Sequence, residues 1–299
     1  MAHELKPVFT GDVLAPIPAG LEILMVEAKL LSDYSLDTGG AEVIHMATWL
    51  VTLDPTVAQR RAARALAAGL VAAQSNFHQA GVGVSLDRWL PDLLMHHQES
   101  MELCVVISVP AYNLQLQAHI EQFIGQLRLS KSHCLQHVVS VSPQAADWQN
   151  CNAFTGHVEC DIRQLNATAF KVFHLLNALQ APGQITALDA ADYREMLGSA
   201  LRPAALIEAV WTPQAAVLFL GSQKDKRSLL GCQKLLVMPG QELRAQQLAD
   251  LYRAVQRSTV NSCTVVIVAP YGQHTQATAS SEIIPVSLLC SDFIEVVQR

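Results

Sequence analysis

Two rhythms alternate along this chain. Short runs of apolar, often β-branched residues recur at 21–26, 103–109, 138–142, 216–220, 234–238, 264–269 and 283–289, and each predicts a strand. Between them lie stretches whose apolar residues return every three or four positions. These predict helices at 41–50, 57–76, 86–97, 116–127, 166–179, 190–200 and 244–257. Alternation of strand and helix in the first part implies a mostly parallel sheet with helices on both faces. After about Leu201 the rhythm changes: a strand ends at Pro239-Gly240, an amphipathic helix follows, and two strands close the chain. The expected class is therefore α/β, with an N-terminal subdomain over 1–165, a central helix over 166–180 and a C-terminal mixed α+β unit over 181–299.

The stretch from Ala181 to Arg194 joins the last two parts and reads APGQITALDAADYR. Pro182-Gly183 ends one helix, and a new one opens on Asp189 and Asp192. Three residues apart, these acids share one face of the first helical turn. There they can position water, or meet a cation or metal-bound phosphate brought by a partner. The plain alternative makes Asp189 the N-cap and Asp192 a first-turn acid favoured by the helix dipole.

Composition narrows the function. Half of the residues are apolar (51%) and only 15% are charged, so much of the chain is buried in itself or in partners. The net charge of −6 argues against a nucleic-acid or anionic-membrane binder, and Arg60, Arg61 and Arg64 read as one solvated helix face. Seven cysteines, an odd number spread widely, do not suggest a disulfide framework. The opening MAHELKPVF lacks the basic-then-apolar pattern of a signal peptide, and the apolar segments 65–73 and 264–270 are too short to span a bilayer. The expectation is a soluble cytoplasmic protein with no membrane segment.

Candidate chemistry outside the acid pair is thin. His133, Cys134, His137, Cys151, His157 and Cys160 lie within a short window. Four of them, such as His133, Cys134, His157 and Cys160, would suffice for tetrahedral zinc. No CxxC anchors the set and His137 heads a predicted strand, so the expectation is no metal. The GxSxG, HExxH and GxxxxGK[ST] motifs are absent, which leaves hydrolase, zinc-protease and P-loop readings unsupported. Lys224-Asp225-Lys226-Arg227 reads as a solvated turn between strands.

Taken in order, these segments resemble the tubulin/FtsZ superfamily, closest to the bacterial FtsZ branch, from Glu102 to Phe293. CVVISVPAYN resembles the strand that runs into a loop opening with Pro and an aromatic, and HVVSVSP the strand after it. NATAFKVFHLLNALQAPGQITALDAADYREMLGSAL resembles the central helix, the acidic loop that reaches the next subunit, and the helix beyond. KLLVMPGQELRAQQLADLYRAVQRSTVNSCTVVIVAPYG with IIPVSLLCSDF resembles the C-terminal β-α-β-β unit, Glu242-Leu243 opening its helix. In that family one subunit's nucleotide is hydrolysed when the next subunit's acidic loop caps it. Asp189 and Asp192 match the loop's two acids, while Ala187 stands where its Asn is expected. The resemblance implies that they act in trans, polarising water or holding a cation beside the neighbour's γ-phosphate.

The nucleotide face implied by the resemblance is depleted. The family's GGGTGTG cradle is matched by QAGVGVS, which leaves Gly81, Gly83 and Ser85 ahead of a predicted helix. The same residues also fit a plain loop. Thr38-Gly39-Gly40 is the only match for the first glycine loop, too far from its strand, and the N-terminal region is shorter than the family's. Gln115 and Gln117 replace the ribose- and base-side Glu and Arg after Pro110-Ala111-Tyr112-Asn113. Asn166 falls at the guanine-facing position, with a helix cap as its alternative. The chain ends at Arg299 without the linker and tether-recruiting peptide of FtsZ.

The resemblance therefore implies an FtsZ/tubulin-like cytoskeletal or assembly protein with weak or no GTPase activity of its own. Its partner would be itself or an FtsZ/tubulin-like homologue, met through the acidic loop face. No cofactor is required, GTP/GDP and Mg being the ones the family allows. Two alternatives stay open. One is an active GTPase with a pocket built on Gly81, Gly83 and Asn166. The other is an unrelated α/β interaction scaffold whose likeness is topological.

Overall fold

The computed structural model describes residues 23–31, 45–53, 61, 101–129, 133–180, 196–214, 217–241, 243–260, 262–268 and 283–293. Strands β1 (Ile23–Leu31) and β2 (His45–Leu53) are antiparallel. From β2, the strands β3 (Met101–Ser108), β4 (His133–Ser142), β5 (Gly156–Glu159) and β6 (Ala204–Thr212) add in parallel, each beside the last. At the far end of β6, β7 (Val217–Leu220) folds back antiparallel. The sheet continues from β6 to β10 (Ile284–Phe293), then β8 (Cys232–Pro239), both junctions antiparallel, and closes on β9 (Thr264–Ile267), parallel to β8. The parallel-rich first half and mixed second half are the expected α/β arrangement.

The parallel strands are apolar on both sides because both sides are covered. Leu103, Val105 and Ile107 of β3 pack under helix α1 (Leu114–Leu129), against Ile120, Phe123, Ile124 and Leu127 at helical spacing. Cys104 and Val106 point the other way, onto Ala169, Val172, Phe173 and Leu176 of helix α2 (Leu165–Gln180). Carried through the pairs Ser140–His157 and Glu159–Ala205, the α1 side of the sheet is also the side of Ile207, Ala209 and Trp211. There helices α3 (Gln223–Gly231) and α4 (Ala245–Ser258) bury Leu229, Leu251, Ala254 and Val255. Three described helices thus cover one face and α2 the other.

The two halves meet along a narrow seam. β5 and β6 share only the pairs Val158–Ala204 and Glu159–Ala205. Across it, Lys171 Nζ of α2 reaches Glu208 Oε2 of β6 at 2.7 Å. The core on the α2 side also runs through it, joining Val158 and Phe173 to Ala204, Leu236 and Leu289. The central helix therefore touches both halves.

Several expectations are corrected. The segment 41–50, expected as a helix, contributes to strand β2: its described residues are extended and pair with β1 and β3. A strand buried on both faces, as Ala47 to Thr52 is, loses the alternation that marks a strand in the sequence. The short β5 and the whole of β6 lay unrecognised. The charged turn at Lys224–Arg227 is instead part of α3, where Ser222 Oγ accepts from Asp225 N at 3.1 Å and donates to Asp225 Oδ2 at 2.8 Å. The helix expected through 200 stops at Met196, because Gly198 takes φ +68° and begins the bridge to Pro203. The helices at 57–76 and 86–97 lie outside the described residues except for Arg61, which is helical and exposed. Among the described residues no helix is long and apolar enough to cross a membrane.

At the start of β5 the sheet has no room for a side chain. A Cβ on Gly156 would sit 2.5 Å from Leu197 Cβ. Gly156→Ala should therefore cost about 1–3 kcal/mol, the usual penalty of overpacking. Urea denaturation checks this, and an unchanged midpoint would contradict the packing described.

Candidate functional site

Open α/β sheets bind ligands in the crevice beyond the carboxyl ends of their parallel strands. Here that edge is formed by Ser108 at the end of β3, Ser142 at the end of β4 and Glu159 at the end of β5. The hydroxyls of Ser108 and Ser142 are buried and have no hydrogen-bond partner. Such a group costs about 1–3 kcal/mol of desolvation, so unspent polar capacity is stored at this edge. Glu159 Oε2 accepts from Ala145 N at 3.4 Å, which ties the turn after β4 to β5.

Asn166 is the second residue of α2 and lies half-buried at this edge. Asp161, not Asn166, caps the preceding 3-10 turn: its Oδ1 accepts from Arg163 N at 2.8 Å. Thr168 bonds the Cys160 thiol, holding the first turn of α2 against the end of β5. Gln117, placed at a base-side position by the resemblance, is instead built into the scaffold. Its Oε1 accepts from Tyr112 OH at 2.9 Å, and its Nε2 donates to Glu121 Oε1 at 3.0 Å. Gly81, Gly83, Ser85, Asp189 and Asp192 lie outside the described residues.

Helix α2 also gives the molecule a polarity. It starts at the carboxyl edge, and its 16 residues rise about 24 Å. The chain is next described at Met196-Leu197, where Leu197 O accepts from His157 N at 3.0 Å beside the start of β5. The stretch 181–195, which carries the acid pair, is thus flanked by chain leading toward the amino edge, opposite Asn166.

The histidine and cysteine window does not converge. Ser140 pairs with His157, so Cys134 lies six residues back along β4, about 20 Å from His157 at strand rise. Cys134 is exposed and accepts from Gln136 Nε2 at 3.4 Å. No group of three metal-ligating side chains exists among the described residues. His157 is buried, with Nδ1 2.7 Å from Ser140 Oγ, and burial lowers its pKa to about 4. Burial raises the Cys160 thiol to about 11, away from thiolate chemistry.

A second concavity opens at the amino edge, where β5, β6 and β8 begin and β10 ends. This cleft, of about 560 Å³, is lined by Cys151, Phe154, His157, Arg202, Lys234 and Asp292, among others. Sequence reasoning did not find it. Its charged residues are far apart in the chain and share no motif spacing, so only the sheet order assembles them.

The fold and edges define an open, mixed α/β sheet with a central helix spanning it. No protein-family model matches the chain, and no curated protein sequence matches it. Among solved structures it is similar to a GDP-bound CetZ1 monomer from Haloferax volcanii, with a TM-score of 0.38 and 10% identity over 69% of each chain. It is also similar to a point mutant of FtsZ from M. jannaschii, with a TM-score of 0.32 and 9% identity over 68% of this chain and 69% of that one. An empty FtsZ dimer from M. jannaschii gives 0.30 and 10%, over 69% and 67%. The likeness concerns fold alone, and the functional reading below rests on this chain's own residues.

His157 sets an acid limit. Its folded pKa of about 4 lies below the ordinary 6.5, so the unfolded chain takes up a proton first as pH falls. Stability is full above about 6.5 and falls toward 4, by on the order of 3 kcal/mol from this residue. An NMR titration should give a His157 midpoint near 4. His157→Gln should flatten the acid limb of a denaturation series, and an unflattened limb would refute the assignment.

Proposed function

We propose that this chain is a subunit of a tubulin/FtsZ-type assembly that acts in the cytoplasm through subunit-subunit contacts, with little or no GTPase activity of its own. The observation that carries this reading is the polarity of α2. The carboxyl edge with Asn166 and the flanks of the acid-bearing stretch lie at opposite ends of the sheet, as a head-to-tail contact between unlike surfaces requires. In this reading Asp189 and Asp192 of one copy meet the carboxyl edge of the next, which belongs to the same chain or to an FtsZ/tubulin-like homologue. The division into 1–165, 166–180 and 181–299 then separates the nucleotide-side half, the spanning helix and the half that bears the acidic contact. Gln117 supports the weak-GTPase part, since its amide is already committed to Tyr112 and Glu121.

A second reading, an active GTPase with a pocket on Gly81, Gly83, Ser85 and Asn166, draws support from the unpartnered hydroxyls of Ser108 and Ser142. A guanine nucleotide with Mg2+ at the carboxyl edge would offer them acceptors. The two readings divide on nucleotide handling.

Two outcomes are expected. Purified protein should carry no guanine nucleotide and show no turnover with GTP and magnesium. Steady hydrolysis abolished by Gly83→Trp would establish the GTPase instead. Asp189→Asn/Asp192→Asn should change self-association, or stimulation of a partner GTPase, severalfold. Stability should move by less than about 1 kcal/mol, because Asn caps helices nearly as well as Asp. Sedimentation velocity and thermal melting separate the effects, and wild-type assembly by the double variant would return both acids to capping.

A further inference from the structure

We propose that Cys232 and Cys263 form a site of reversible oxidative modification, at which a peroxide joins them in a disulfide that ties β9 to β8. The inference does not depend on the assembly reading. Their Sγ atoms lie 3.9 Å apart, although 31 positions of chain separate the residues. Both cysteines are free. Cys232 opens β8, and its Sγ donates to Leu229 O at 3.2 Å, which anchors it against the end of α3. Cys263 directly precedes β9 and is partly exposed.

The ladder supplies the spacing. β8 and β9 pair from Lys234–Thr264 onward, so the two cysteines stand side by side at its open end. Neighbouring strands run about 4.8 Å apart, and a disulfide bridges Cα atoms roughly 4.4–6.8 Å apart. Bringing the sulfurs to about 2 Å then takes rotation of two side chains rather than movement of a strand. Cys290, the third cysteine of this core, is less well placed. Cys232 pairs with Phe293 and Cys290 with Leu235, three positions along, which is about 10 Å at strand rise.

The chemistry balances with one peroxide. The Cys263 thiolate attacks a peroxide oxygen, the O–O bond breaks, and the sulfur becomes a sulfenic acid as hydroxide leaves. The Cys232 sulfur then attacks that sulfur, its proton leaves with the hydroxyl as water, and the S–S bond forms. Two thiols are oxidised and one peroxide is reduced to two waters, and a small thiol reverses the step by exchange. The hydrogen bond with Cys232, and then burial, raise the pKa of the Cys263 thiol. Thiolate is therefore scarce at neutral pH, and the site answers sustained rather than brief exposure. Among the described residues β9 is the last strand of the sheet and meets only β8, over four residue pairs. A bond at the open end of so short a ladder restrains it, and the ring it closes encloses α4.

Hydrogen peroxide treatment of the full chain tests the proposal, followed by alkylation of the remaining thiols in denaturant and peptide mapping by mass spectrometry. The exposed Cys134 reports that the oxidant has acted. A Cys232–Cys263 link should appear and be lost after dithiothreitol. The linked protein should unfold at a higher urea concentration than the reduced protein, and this shift should vanish in Cys263→Ala. Cys232→Ala serves if Cys263→Ala does not fold. Both thiols still open to alkylation after Cys134 is oxidised, a Cys232–Cys290 link in their place, or a linked protein with an unchanged urea midpoint would overturn the assignment.

Discussion

A strand with two apolar faces must be covered twice, and β3 imposes that requirement on the whole molecule. Leu103, Val105 and Ile107 need one helix, Cys104 and Val106 another, and neither set survives exposure to water. Meeting both demands puts α1 and α2 on opposite sides and fixes β2 and β4 as parallel neighbours. Ser108, Ser142 and Glu159 sit at the strand ends, while Ser140 and His157 bury their polar atoms inside the sheet by pairing with each other. Among the described residues, polar groups gather at the two edges of the sheet.

Those edges differ in kind. The carboxyl edge combines acidic side chains, Glu159 and Asp161, with hydroxyls that lack partners. The amino edge gathers Arg202, Lys234 and Asp292 around an aromatic wall.

Sequence pattern revealed much of this architecture where periodicity was clean. Strands β3, β4, β8 and β10 and helices α1, α2 and α4 all emerged from it, with ends shifted by a few residues. It failed where tertiary context decides. Ala47 to Thr52 is buried on both faces, Thr48 and Thr52 included, so its strand character comes from the two ladders it joins. β5 is four residues long, too brief for a period. The charges of α3 suggested a turn because its stabilising cap, Ser222, lies outside the charged run. Of the candidate site, Asn166 was legible as a residue at the head of a helix. The amino-edge cleft was not, since its ionic group exists only once β6, β8 and β10 are side by side.

The narrow seam between β5 and β6 has a mechanical meaning. Two residue pairs resist separation there, against eight between β2 and β3. Stress applied across the sheet concentrates at the narrowest ladder, and a short ladder yields by rotation before a long one yields by shear. Lys171 and Glu208 then act as a strut at the hinge, a contact whose long side chains can follow a few degrees of turn without breaking. Strain arriving at one half would have to pass through the α2-side core, which crosses the seam from Val158 and Phe173 to Ala204, Leu236 and Leu289.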